Sequence, residues 1–600
     1  MKNGSDEVRI GRSENLPKWD LTDIYPGLDS ASFKNDLDEY NEHLSRLQVI
    51  VEAGETLNAE KIEEYIRISN RINDLKENLD TYTYLMYSTD SYNRDAIEKI
   101  NLLEEAAIPL KKIRVIFRKK LKKLSQHIDE IISGNDFLKP YEFFLKEELF
   151  LSNRQMSERE EELASDLSRA GADAWSRLHD TITSQLKVIW DETTGEKKTV
   201  TQLRALAHDP DRVTRKRAFQ KEIEAWETVK TPLSFALNGV KGFSVILNKR
   251  RNYSSTLEKS IIQSRITRKT LDSLIAAMQE SLPYFRNYFK AKAKLLGLNK
   301  LAFYDLFAPV GSITRKWSFS EARDFITEQF ANFSDELGNF ARQAFSRGWI
   351  DAQPRDGKVG GAYCATVPLK AESRIMCNFD GSFKSVSTVA HELGHGYHHH
   401  VLRTTPNILR TYPMTLAETA SIFCENIVFN GALADFRGEE RLAALEVFLA
   451  DQSQVIVDIL SRFLFESEVM KIREKKELSP EELNELMIDA QKKTYGNALN
   501  QDELHPYMWA VKTHYYNADF AFYNFPYAFG LLFGIGLYSR FREEGKSFSE
   551  KYRELLSNTG MKSANDLTRD AGFDIESIDF WRSGINIIKE RIDQFISEGE

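Results

Sequence analysis

Cysteine is scarce in this chain: 3 in 600 residues, Cys364, Cys377 and Cys424, an odd number with no Cys-x-x-Cys spacing. That usage excludes a disulfide framework and fits a reducing cytoplasm, with packing as the default role of each thiol. Met1-Lys-Asn-Gly-Ser lacks the opening of a secretory leader, which agrees with a cytoplasmic setting. Basic charge is not in excess. A net charge of −9 and a pI near 5.8 argue against a nucleic-acid partner. Only Phe520–Ser539, uncharged throughout and containing Gly530-x-x-x-Gly534, raises the question of a membrane span. Asn524, Pro526, three tyrosines, three glycines and a mean hydropathy of −0.44 point instead to a buried helix beneath a site, with no membrane partner.

Strand signals are also few. Leu186–Trp190 and Thr199–Thr201 flank a turn at Gly195, and the region from Gly361 to Phe379 is strand-like, above all Arg374–Phe379. Helical periodicity dominates the rest. Phe33, Leu37, Tyr40, Leu44, Leu47 and Val51 recur at alternating four and three, and similar patterns run through 60–130, 157–183, 202–247, 267–296 and 440–473. Ser479-Pro-Glu-Glu482 opens another helix with a cap, an N1 proline and an N3 glutamate. The basic run Lys111–Lys123, eight Lys/Arg with Ile113, Ile116 and Leu121 between them, predicts a helix with a solvated basic face. The fold class is mainly α, with a division near 190–200 where the hairpin interrupts the helices.

Against this background stands His391-Glu392-Leu393-Gly394-His395. On a helix, positions i and i+4 differ by about 40° and one turn, so both imidazoles can reach one metal ion. Glu392 can then reach a water at that ion and take its proton. With 11 His and 90 acidic residues in 600, chance yields such a motif roughly 0.03 times per chain. Val386, Val389, Leu393 and Tyr397 form an apolar stripe at helical spacing, and Ser382 is the N-cap candidate.

A catalytic zinc site needs a third protein ligand. His398-His399-His400 follow closely, but an unbroken helix carries them a turn too far along its axis. The HExxHxxGxxH pattern fails at His398 and Val401. From Gly396 to Ala417 there is no Asp or Glu, so Glu418 is the first acid after the motif. It can be the third ligand, or it can close a capping box begun by Thr415. Glu425, two turns on, can orient a ligand histidine or be an ordinary surface acid.

HELGH, the acid-free spacer, and Glu418-x6-Glu425 within Ala-Glu-Thr-Ala-Ser resemble the thimet oligopeptidase/oligoendopeptidase F zinc metallopeptidases, especially the oligoendopeptidase F branch. Trp19-Asp-Leu-Thr-Asp-Ile-Tyr25, Arg374–His391 and the tyrosine-rich His514–Gly530 are similar to other parts of that family. The resemblance implies a helical shell around a deep substrate channel, with a small sheet beside the active-site helix. It implies an N-terminal helical domain over 1–195 and a catalytic domain over 196–600. It also implies one Zn2+ per chain, oligopeptide substrates, and oxyanion donors among His514, Tyr523 and Tyr527. Tyr516 competes for one of those places, and an aromatic core is the alternative use of any of these tyrosines. Gly360 and Gly361, with the following strand, are implied to grip substrate backbone; alone they read as a flexible turn.

The expectation is therefore a zinc endopeptidase in which His391, His395 and Glu418 hold the metal and Glu392 is the base. A zinc carboxypeptidase of related helical fold is the alternative among enzymes. A zinc-stabilised peptide-binding protein without catalysis is the alternative outside them, and Glu392, a base that a structural site does not need, speaks against it.

Overall fold

The computed structural model describes residues 15–54 and 56–600. Met1–Ser5, read above for its lack of a leader, lies outside them. Helices dominate. The first, Ala31–Glu52, buries Phe33, Tyr40, Leu44, Leu47 and Val51, and Ser30 caps it by accepting from Phe33 N. Ser479 and Glu482 form the capping box of Pro480–Tyr495. The stretch 157–183 is two helices, Glu158–Ala170 and Ala172–Gln185, because Gly171 breaks the ladder between them.

A first hydrophobic core runs from Leu21 to Leu145, centred on the helix Ala59–Thr89, and takes in Ile408 and Leu409 from far along the chain. The basic helix Ile108–Lys122 belongs to it and, as expected, buries Ile113, Ile116 and Leu121 while Lys111, Lys112, Arg114, Lys119 and Lys122 stay exposed. Unforeseen is that the exposed Arg114 and the half-buried Arg118 both pair with Glu148, a fully buried carboxylate, with Arg118 Nε 2.8 Å from Glu148 Oε2. The remaining residues form a large second core between Ile261 and Phe595 and a smaller one around Trp226, Trp509 and Tyr516.

β1 (Lys187–Asp191) and β2 (Glu196–Thr199) form an antiparallel hairpin with Gly195 at φ +71° in the turn; the second strand lies earlier than the Thr199–Thr201 read from the sequence, because Thr199 caps the helix Val200–Ala205. The second sheet holds β3 (Ile350–Asp351), β4 (Tyr363–Val367) and β5 (Glu372–Met376) in the order β3-β5-β4. Arg374–Phe379 is therefore not the strand whose edge could grip substrate backbone, as the resemblance implied. β5 is the central strand, parallel to β3 and antiparallel to β4, and the backbone at Cys377 and Phe379 still bonds to Asp351 and Ala352. The edges are β4 and the two-residue β3.

Phe525–Glu544 is a helix buried for most of its length between Thr419–Asp435 and the C-terminal helix Ile578–Glu598. Among the described residues no helix is long and apolar enough to cross a membrane.

Candidate active site

The motif lies on the helix Phe383–Leu402, which Ser382 caps by accepting from Ser385 N at 3.1 Å. Its apolar stripe, Val386, Val389, Leu393 and Tyr397, is buried. His391 and His395 sit one turn apart with ring centroids 4.9 Å apart. Glu418 falls at the junction of a short helix, Met414–Ala417, and Thr419–Asp435, where the chain turns back toward the motif. Its Oε2 lies 3.3 Å from His391 Nε2 and 3.5 Å from His395 Nε2. No capping box forms, because Thr415 Oγ1 donates to Ser264 O at 2.7 Å instead.

Two glycines make this convergence sterically open. A Cβ on Gly394 would stand 2.6 Å from Ala420 O, so the motif helix and the helix after Glu418 meet backbone to backbone. A Cβ on Gly530 would stand 2.9 Å from Glu418 Cβ. The GxxxG noted in the sequence therefore makes room for a carboxylate inside the protein.

Around this cluster lies a layer of hydrogen bonds. Glu425 Oε2 is 3.2 Å from His391 Nδ1, and Ser387 Oγ donates to its other oxygen at 3.1 Å. Ser421 Oγ donates to Glu418 Oε2 at 2.7 Å. Sequence reading missed both serines, although Ser387 precedes His391 by one turn and Ser421 follows Glu418 by three residues. His398 and His399 face elsewhere: His398 bonds Thr559 Oγ1 at 2.9 Å and His399 Nδ1 lies 3.4 Å from Ser373 Oγ.

The donor set fits a divalent metal ion. One ligand atom each from His391, His395 and Glu418 lies within 4.8 Å of the others. Burial disfavours a proton on His391, yet Glu418 and Glu425 raise its pKa to about 10, so the cluster calls for positive charge at this point. A dication would supply that charge and release the proton. Burial holds His395 down to about 4, in the neutral form that can ligate. Two imidazoles and a carboxylate suit zinc. Burial, reinforced by Glu418 and Glu425, lifts Glu392 to about 7, and its Oε2 is buried without a hydrogen-bond partner.

Tyr527, whose hydroxyl feels the Glu418 charge, belongs to a group of three rings. His514 stacks on Tyr523 with centroids 5.0 Å apart, and Tyr527 meets the two rings at 5.9 and 5.7 Å. Tyr527 lies one turn before Gly530, and hence next to Glu418. Burial, then Arg462 and Lys512, push His514 down to about 4, so it is a neutral imidazole at pH 7. Tyr516 does not join them. It is 1% exposed, stacks on His179 at 3.7 Å, and sits in a core that substrate cannot reach. The sequence reading of Tyr516 as a competitor for a place at the substrate is thereby corrected: its ring is packed in the core around Trp226 and Trp509.

Gly360 and Gly361 are exposed and precede the free edge of β4, with Gly361 at φ +83°. Asn378 Nδ2 donates to Val359 O at 3.0 Å and Gly361 O at 3.2 Å, tying this segment to the motif side. Val359 N donates to Ser88 O, tying it also to the first core. A cavity of about 560 Å³ lies against the C-terminal half of the motif helix, lined by Gly396 and His399, Thr366 and Ser373 of the sheet, and Glu77 and Asp80 of Ala59–Thr89; the cluster residues do not line it.

An HExxH helix closed by a later glutamate is a donor arrangement of metallopeptidases. Comparison with known proteins agrees. The model of peptidase family M3 matches residues 205–587, and that of oligopeptidase F matches 121–187. The chain belongs to peptidase family M3. An oligoendopeptidase F homolog of Lactococcus lactis subsp. lactis is 24% identical over 96% of both chains. Oligopeptidase PepF of Bacillus subtilis is 24% identical over 78% of this chain and 70% of its own. The crystal structure of oligoendopeptidase-F from Enterococcus faecium superposes with a TM-score of 0.69 at 18% identity, covering 94% of this chain and 99% of that one.

Proposed function

We propose that this peptidase is a zinc endopeptidase that hydrolyses internal bonds of short oligopeptides. The observation that carries the reading is the convergence of His391, His395 and Glu418 beside a buried carboxylate, Glu392, with an unpartnered oxygen. His391, His395 and Glu418 would hold the ion, which when bound supplies Lewis acidity to the scissile carbonyl and to the attacking water. Glu392 takes the proton of that water and later delivers it to the leaving amine; its buried oxygen, which has no other hydrogen-bond partner, is free for both duties. Glu425 fixes the ring of His391 through Nδ1. His514 and Tyr523 donate hydrogen bonds to the developing oxyanion, with Tyr527 beside them.

Substrate backbone pairs with the edge of β4, entered through Gly360 and Gly361, which gives broad sequence tolerance. The helices around the cleft admit extended peptides and exclude folded proteins. The names of the curated relatives, oligoendopeptidase F and oligopeptidase, support this substrate class. Three free cysteines, two of them buried, suit a reducing cytoplasm.

The test is to incubate peptides of about a dozen residues, roughly 40 Å when extended, with and without chelator, and to map products by mass spectrometry. Internal cleavage that chelation abolishes and zinc restores is expected, with blocked termini tolerated. A ladder of single-residue losses from the C-terminus, stopped by amidation, would make the enzyme a carboxypeptidase.

A further inference from the structure

The segment between Lys512 and Asn524 carries His514 and Tyr523, yet its only regular structure is the 3-10 turn Thr513–Tyr516. Side chains from three helices hold its backbone instead. Ser176 Oγ donates to Tyr516 O at 2.8 Å, while Ser244 Oγ and Ser260 Oγ donate to Ala518 O and Ala521 O, both at 2.7 Å. The segment ends at Phe522, whose φ of +55° lies in the left-handed region. For an aromatic residue that conformation is an outlier that the surroundings must impose.

What imposes it is buried. Phe522 N donates to Glu466 Oε1 at 3.0 Å, and the same oxygen accepts from Lys241 Nζ at 2.5 Å. Lys241 lies on Arg212–Arg250 and Glu466 on Ile459–Arg473, and their side chains are 1% and 2% exposed. An ion pair at this depth gains little over apolar residues of equal size, because desolvation offsets the attraction. Its stability alone does not account for it; the backbone that it holds does.

We propose that the Lys241–Glu466 pair is a positioning device for catalysis: Glu466 fixes the left-handed turn at Phe522, and that turn aims Tyr523 across His514. Lys241 is the buried counter-charge of the Glu466 carboxylate, whose oxygen accepts from the amide. This rests on the reading above that His514 and Tyr523 serve turnover. Neither Lys241 nor Glu466 touches substrate, so both are positioning residues.

Two neutral replacements separate the roles. Lys241→Met/Glu466→Gln removes both charges and keeps an acceptor for Phe522 N. Lys241→Met/Glu466→Leu removes the acceptor as well. Each is assayed for kcat and KM on an internally quenched oligopeptide, for metal content, and for hydrogen exchange of the peptide spanning 517–525. The Gln pair should behave like the native enzyme. The Leu pair should keep its metal and KM, exchange faster in 517–525 alone, and lose about 10–100-fold in kcat, the cost of misplacing a group that must be aligned. If the Leu pair fails to fold, Lys241→Leu/Glu466→Met, an acceptor-free pair of different shape, replaces it. Equal kcat and equal exchange in the Gln and acceptor-free pairs would overturn the proposal. A native enzyme that cleaves no peptide would overturn the peptidase reading, and the exchange difference would still decide whether the pair holds the turn.

Discussion

Glu392 is 6% exposed, one of its oxygens has no partner, and its pKa is raised to about 7. A carboxylate so placed is unfavourable for folding and useful for moving protons. Glu392→Gln should keep one metal per chain and lose on the order of 10²–10⁴-fold in kcat; near-native turnover with full metal occupancy would remove it from the mechanism. Glu418 and Glu425 separate by chelator competition. Glu418→Gln should weaken metal binding sharply, since a neutral amide is a poor donor. Glu425→Gln should cost about 10–100-fold, the effect typical of a group that only orients a ligand. The reverse order would exchange their roles. At this scale the sequence revealed what is local: two histidines at i and i+4, and the next acid along the chain. It could not reveal that Tyr516 points into a core while Tyr523 faces His514. That choice depends on His179 and Phe522, one of them more than 300 positions away in sequence. Nor could it single out Ser387 and Ser421, which look like any helical serine until Glu425 and Glu418 are seen in front of them.

Among the elements, the contact of the motif helix with Thr419–Asp435 is the one that assembles the site. Gly394→Ala would press a methyl group onto Ala420 O. Overpacking of this kind costs about 1–3 kcal/mol, and here it also moves Glu418 away from both histidines. Thermal denaturation and zinc titration should therefore fall together; a stable variant with native zinc affinity would refute this account of the glycine. Periodicity foretold the helices well because their apolar stripes are intrinsic to each segment. Sheet order was not legible, since which strand is left at the edge depends on β3, a two-residue element. The basic run has its solvated face, but the partner of two of its arginines was not legible for a related reason. Only the fold brings Glu148 against Arg114 and Arg118, where burial alone would raise its pKa but the two guanidinium groups hold it to about 2. Because that value lies below the ordinary 4.5, the carboxylate stabilises the protein above pH 4.5, and its contribution is lost as pH falls toward 2. Glu148→Gln should be less stable at neutral pH by about 3–5 kcal/mol, the effect of breaking a buried pair. Its denaturant midpoint should also vary less than that of the native chain between pH 4.5 and 2.

Across the whole molecule, the spacer between the motif and Glu418 reaches into the first core. Ile408 and Leu409 are buried there, Asn407 Nδ2 donates to Glu77 Oε2 at 2.9 Å, and Ile408 N donates to Asn70 Oδ1 at 2.9 Å. A fragment of residues 196–600 would expose those side chains and lose the anchor of the chain segment leading to Glu418. It should show weakened zinc binding and aggregate on heating, and adding residues 1–195 in trans should restore part of both properties; a soluble, zinc-loaded fragment alone would show the halves to be independent. The same junction sets a timetable for synthesis. Asn70 and Ile408 are 338 residues apart, and ribosomes add roughly 5–20 residues per second. The N-terminal helices thus leave the ribosome roughly 20–70 s before the segment that completes their core is made. Through that interval an apolar notch stays open on a nascent body, so the length of the wait, and whatever shields the notch meanwhile, governs how much of this enzyme matures.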